Sequence, residues 1–118
     1  MQTQKEDSNK VNSLNDLSTN ALAREDFDNS MQYAKEALTI SEKLNYKKGK
    51  ADAFYNMVSV MGQQSYTNQS VYPEMYRLLF NALKLYEDLG DKEGIARCYE
   101  SFGGLKYNEG DYAGALKK

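Results

Sequence analysis

A single proline, Pro73, interrupts the 118 residues, and apolar side chains recur at three- and four-residue spacing along nearly all of them. That spacing puts one stripe of apolar groups on a helix and a polar back behind it. Residues 9–24 carry Val11, Leu14, Leu17, Ala21 and Leu22 on such a stripe; residues 27–44 carry Phe27, Met31, Ala34, Leu38 and Ile40. The pattern resumes over 48–63 with Ala51, Phe54, Met57, Val58 and Met61, and over 72–89 with Tyr72, Met75, Leu79, Ala82, Leu83 and Tyr86. It continues over 92–108 with Ala96, Tyr99, Phe102 and Leu105, and a last helix is expected from near Asp111. The two-residue alternation of a half-buried strand is absent, so the periodicity predicts an all-α fold.

Boundary residues agree with the pattern. Asp26 and Asp111 each precede an aromatic and can accept a bond from a free backbone N–H at a helix start. Gly90 after Leu89, and Asn45 after Leu44, stand where a left-handed residue closes a helix. Between Gly62 and Tyr72 the period lapses, and an extended loop carrying Tyr66 is expected there. Residues 1–8 are polar and are expected to form a flexible lead-in to a domain spanning 9–118.

Composition narrows the functional classes. Fifteen basic against seventeen acidic residues give a net charge of −2, which offers no electrostatic footprint for nucleic acid or an anionic membrane. No run of apolar residues is long enough to span a bilayer. There is no histidine, so imidazole bases, Ser-His-Asp and Cys-His pairs and His-ligated zinc are excluded. Cys98 is the only cysteine and has only Arg97 as a basic neighbour in sequence, a setting for an inert thiol. Acidic pairs such as Glu25-Asp26 and Glu87-Asp88 read as solvated faces rather than a general acid and base. No phosphate loop or dinucleotide fingerprint is present; Gly103-Gly104 is isolated. The sequence therefore predicts no enzyme, no cofactor and no metal.

An internal repeat organises the chain. Ala37-Leu38, Glu42, Leu44, Lys47, Gly49 and Ala51 recur 45 positions later as Ala82-Leu83, Glu87, Leu89, Lys92, Gly94 and Ala96. At the same offset Phe54 meets Tyr99 and Met57 meets Phe102. A longer shift aligns Asp26-Phe27 with Asp111-Tyr112, Leu14 with Tyr99 and Leu17 with Phe102. The units run over about 11–48, 49–93 and 94–118, the last one truncated. A helix hairpin cannot bury its apolar stripe alone, so such units stack into a continuous core.

The stretch Tyr99-Glu100-Ser101-Phe102-Gly103, followed by Gly110-Asp111-Tyr112-Ala113-Gly114-Ala115-Leu116, resembles a tetratricopeptide repeat. In that family an aromatic begins helix A, a small residue follows four positions on, and a Gly-Asp-Tyr turn leads to an alanine in helix B. Here these are Tyr99, Gly103, Gly110-Asp111-Tyr112 and Ala115. Units of 40 to 45 residues exceed the usual length of about 34. Together with the linker Leu89-Gly90-Asp91-Lys92-Glu93-Gly94-Ile95-Ala96, that length is similar to the longer-helix subclass. The opening Asp7 to Ser18 is similar to the first repeat of sensor proteins from the Bacteroidetes. The first resemblance implies a right-handed superhelix of antiparallel hairpins, about six helices in all. The second implies a sensory or scaffold segment of a bacterial signalling protein, held outside the cytoplasm by a membrane anchor elsewhere in its chain.

The resemblance also implies a concave groove lined by helix A residues. Mapped onto this chain they are Asn12, Asn15 and Thr19, then Asp52, Tyr55, Asn56 and Ser59, then Arg97, Glu100, Gly104, Tyr107 and Asn108. A lining of amides, hydroxyls and tyrosines suits a protein or peptide ligand. The basic set that grips chaperone C-termini is not matched: the first unit offers Asn12 and Asp16, the second Asp52 and Asn56, and only Arg97 is basic, so an aspartate would repel the ligand carboxylate. Of the remaining tyrosines, Tyr72, Tyr86, Tyr99 and Tyr112 are expected in the core, and Tyr46, Tyr55, Tyr66, Tyr76 and Tyr107 at the surface. The alternative function is a structural unit that self-assembles through the truncated edge near Tyr99, Phe102 and Leu105.

Overall fold

In the computed structural model, the backbone is described for residues 4–64 and 71–117 and the side chains for 7–63 and 71–106. Five helices follow one another: α1 (Gln4–Ala23), α2 (Phe27–Leu44), α3 (Lys47–Gln64), α4 (Tyr72–Leu89) and α5 (Lys92–Lys117). Among the described residues there is no strand, and the fold is all-α. Each helix packs on the next, and α1 also meets α3.

The caps at Asp26, Asn45 and Gly90 lie where the sequence places them. Asp26 accepts a hydrogen bond from the Asn29 amide at the start of α2. Asn45 (φ 55°) and Gly90 (φ 67°) are left-handed and close α2 and α4 through their own amides. Pro73 sits in the first turn of α4, where no N–H is needed. A further left-handed residue, Glu25 (φ 62°), ends α1 without any signal in its side chain.

Two expectations about the ends are corrected. α1 begins at Gln4, so residues 4–8 are helical rather than a flexible lead-in. The sixth helix and the turn at Gly110-Asp111 are not formed, because α5 runs unbroken to Lys117. Starting a helix costs more than lengthening one, and Ala113, Ala115, Leu116 and Lys117 are good helix formers. The loop expected at 62–72 is shorter, since α3 extends to Gln64; residues 65–70, with Tyr66, lie outside the described residues.

The core forms two clusters that share α3. On one side Val11, Leu14, Ala37 and Ala53 join α1, α2 and α3. On the other, Ala51, Phe54 and Val58 meet Met75, Leu79, Ala82 and Tyr86 of α4, with Cys98 and Leu105 of α5. Each large apolar side chain so buried contributes about 1.5–3 kcal/mol. α3 is thus covered on two faces, and Ala53 and Val60 are fully buried although they lie off its main stripe.

Small residues set the closest approach. Ser18 of α1 donates to the Ser30 carbonyl at 2.8 Å, and Ser30 of α2 donates to the Ser18 carbonyl at 2.7 Å. Neither residue is exposed, so the two helices meet backbone to backbone with both of these hydroxyls satisfied. Gly49 and Gly94, equivalent at the 45-residue offset, play the same part. A Cβ on Gly49 would fall under 3.0 Å from Val11, Ser41 and Tyr46, and one on Gly94 under 3.0 Å from the Tyr86 ring.

Three residues assigned to the apolar stripes are exposed: Leu17 (42%), Tyr99 (57%) and Ala96. Tyr99 lies in the second turn of α5, and α5 runs on to Lys117 where a hairpin partner is expected. Phe102 is half-buried and stacks on Tyr76 of α4, with ring centroids 6.1 Å apart.

Candidate binding groove

The helix A residues do converge, but not all of them. Asn15, Asp16 and Thr19 of α1, Asp52, Tyr55 and Asn56 of α3 and Arg97 of α5 line one small polar concavity of about 110 Å³. Three non-consecutive helices supply it because α1 meets α3 directly and α5 reaches α3 through Arg97.

Asn15 ties α1 to α3. It is 5% exposed, and its amide donates to the Gly49 carbonyl at 3.2 Å. Its carbonyl oxygen accepts from the Asn56 amide at 3.2 Å, and Asn56 also donates to the Asn15 main-chain carbonyl. Thr19 donates to Asn56 at 3.5 Å, a long bond, and to the Asn15 carbonyl at 3.1 Å. Asn15 and Asn56 are therefore structural links as well as groove walls, which their residue types alone do not reveal.

Across the concavity, the Arg97 guanidinium lies over the Tyr55 ring at 5.2 Å. Its Nε is buried and has no hydrogen-bond partner. A buried guanidinium N–H without an acceptor is costly, so this face of Arg97 is suited to donate to an incoming carbonyl or carboxylate oxygen.

The other expected groove residues fall elsewhere. Asn12 is exposed and accepts from the Tyr46 hydroxyl at 2.9 Å, away from the concavity. Ser59 turns back to the Tyr55 carbonyl at 3.0 Å, and Glu100 and Gly104 are exposed on α5. The side chains of Tyr107 and Asn108 lie outside the described residues.

Next to the groove stands a charged cluster that the sequence reading passed over. Tyr86, fully buried, donates its hydroxyl to Asp52 at 2.5 Å. Lys48 bonds Asp91 at 2.9 Å and Asp52 at 3.4 Å, and its ammonium lies 5.3 Å from the Tyr86 ring centre. Asp91 caps α5 by accepting from the Gly94 amide at 3.1 Å. The cluster clasps α3, α4 and α5. The signal for it was the pairing of a linker aspartate with a lysine one repeat earlier.

Protonation follows from these contacts. The Gly94 amide and then the Lys48 hydrogen bond hold the Asp91 carboxyl below its ordinary value. For Lys48, burial opposes the charge, but the Asp91 hydrogen bond and the two carboxylates outweigh it and raise its pKa. Burial, then the hydrogen bond to Asp52, raises the Tyr86 phenol. Burial also pushes the Cys98 thiol up to about 11, which leaves it protonated and unreactive at neutral pH.

A pH profile of stability follows. Asp91 has a lowered folded pKa, so its contribution is complete above 3.8 and is lost as pH falls through the lowered value. Lys48 and Tyr86 have raised folded values. Their contributions are complete below their ordinary 10.5 and 10.0 and are lost as pH rises beyond those. Melting temperature should be flat through neutral pH and fall at both ends. Tyr86→Phe should shallow the alkaline fall and Asp91→Asn the acid one; limbs of unchanged steepness in both variants would contradict the assignment.

Among the described residues no three His, Cys, Asp or Glu side chains gather as a metal site, and no helix is long and apolar enough to cross a membrane. Compared with family models, curated proteins and solved structures, the chain matches none of them.

Proposed function

We propose that the chain is a protein- or peptide-binding module of the tetratricopeptide type, a right-handed superhelical array that presents its helix A face as a rigid groove. The observation that carries this reading is the convergence of Asn15, Thr19, Asp52, Tyr55, Asn56 and Arg97 from three helices on one polar concavity. Tyr55 supplies flat apolar area, and Arg97 supplies an N–H that lacks an acceptor. Binding would rest on shape and hydrogen bonds, with no bond-making step. The setting that fits the sequence resemblance is a sensory or scaffold segment of a bacterial signalling protein exposed to the periplasm.

The test is selection from a displayed random-peptide library, followed by affinity measurement on variants. Tyr55→Ala with Arg97→Ala should lower affinity for the selected peptides at least about tenfold, the loss expected when a groove anchor goes. Far-ultraviolet circular dichroism should be unchanged. Asn56 is left intact because its loss would loosen α1 from α3. Peptides that bind the double variant equally well would rule the groove out.

A second reading, self-assembly through the α5 edge, is favoured by the exposure of Tyr99. It expects a concentration-dependent mass in sedimentation that Tyr99→Glu abolishes. A monomer at all concentrations would dismiss it.

A further inference from the structure

At the junction of α2 and α3 lies a second concavity, of about 360 Å³, that shares no residue with the polar groove. We infer that it is a binding site for a small oxyanion of the carboxylate or phosphate type. Two independent features point there. The first is Ser41, which is 0% exposed and lines the concavity, and whose Oγ has no hydrogen-bond partner. A hydroxyl kept buried and unbonded costs stability, and an oxyanion in the concavity would accept a hydrogen bond from it.

The second is the start of α3. Its first helical bond runs from the Lys50 amide to the Tyr46 carbonyl, so the amides of Lys47, Lys48 and Gly49 precede any intrahelical acceptor. At the equivalent start of α5, Asp91 caps the Gly94 amide. Tyr46 holds that place before α3, and its hydroxyl is engaged with Asn12 instead. The open amides and the positive end of the helix favour an anion supplied from outside.

The surrounding charges permit this. Lys47 and Lys50 line the concavity, and Glu42 lines it too. Lys50 stands 3.6 Å from Glu42, and Lys47 stands 3.8 Å from Asp88. Both are long pairs, the first partly and the second well exposed, of the kind that contribute little, so the ammonium groups can turn to a bound anion.

The test is an NMR titration of isotope-labelled protein with sodium phosphate, sodium acetate and sodium chloride at matched ionic strength. Saturable shifts at the amides of Ser41 and Lys47 to Gly49 are expected with phosphate or acetate and not with chloride. The anion that saturates at lower concentration distinguishes a phosphate source from a carboxylate source. Ser41→Ala should cut the affinity about tenfold. Without anion the same variant should melt no lower than the parent, because the hydroxyl it removes is unbonded. Lys50→Gln should weaken binding without altering the fold. The inference is overturned by shifts that track ionic strength in all three salts. It is equally overturned by undiminished binding to Ser41→Ala, or by a lowered melting temperature of that variant without anion, which would mean that the hydroxyl is bonded within the protein.

Discussion

Replacing Tyr86 by alanine should cost about 3–5 kcal/mol, the range for deleting a large aromatic from a packed interior. The ring is fully buried between α3, α4 and α5 and belongs to the larger of the two core clusters. Its hydroxyl holds Asp52, and Lys48 lies over its face. Deletion opens a cavity and removes the donor from a carboxylate at once. Native stability amounts to roughly 0.05–0.15 kcal/mol per residue, so this loss consumes a large share of it. Tyr86→Phe keeps the ring and loses only the hydrogen bond, for which about 1.5–3 kcal/mol is expected because the acceptor is charged. Urea unfolding of both variants measures the difference. Equal losses would mean that the hydroxyl carries the effect and the ring little.

Gly94→Ala should destabilise the fold by about 1–3 kcal/mol, as overpacking does. Helix propensity alone argues the opposite, since alanine is better than glycine inside a helix by about 1 kcal/mol. Packing wins because the new Cβ would meet three carbons of the Tyr86 ring, a flat group fixed by burial and by its hydrogen bond to Asp52. Gly103→Ala and Gly104→Ala provide the contrast. They lie in the same helix with nothing within 4 Å of an added Cβ, so each should gain up to about 1 kcal/mol. Opposite signs within one helix would confirm that the first turn of α5 is set by contact with α4. A stabilised Gly94→Ala would sink that account.

Much of the candidate groove was legible in the residue pattern. The repeat resemblance implies Asn15, Thr19, Asp52, Tyr55, Asn56 and Arg97 as helix A groove positions, and these six line one concavity. Asn12, Ser59 and Glu100 are implied in the same way and yet stand apart. Which of several neighbouring positions on a helix faces another helix depends on crossing geometry, which no single-helix pattern contains. The charged cluster of Lys48, Asp52, Tyr86 and Asp91 was hidden for the same reason, because its members come from α3, α4 and the linker before α5.

The sequence by itself determined the secondary structure: where apolar residues recur, where Asp26 caps, and where Asn45 and Gly90 stop a helix. Those are local matters of side-chain period and backbone conformation. Tertiary structure decided which apolar residues are inside. Val60 and Ala53 are buried because α3 is packed from two sides, while Tyr99 and Leu17 stay exposed because, among the described residues, no element lies over them. It also decided that α5 runs through Gly110-Asp111. A turn signal acts only when a new helix has a surface to pack on that outweighs the cost of nucleating it.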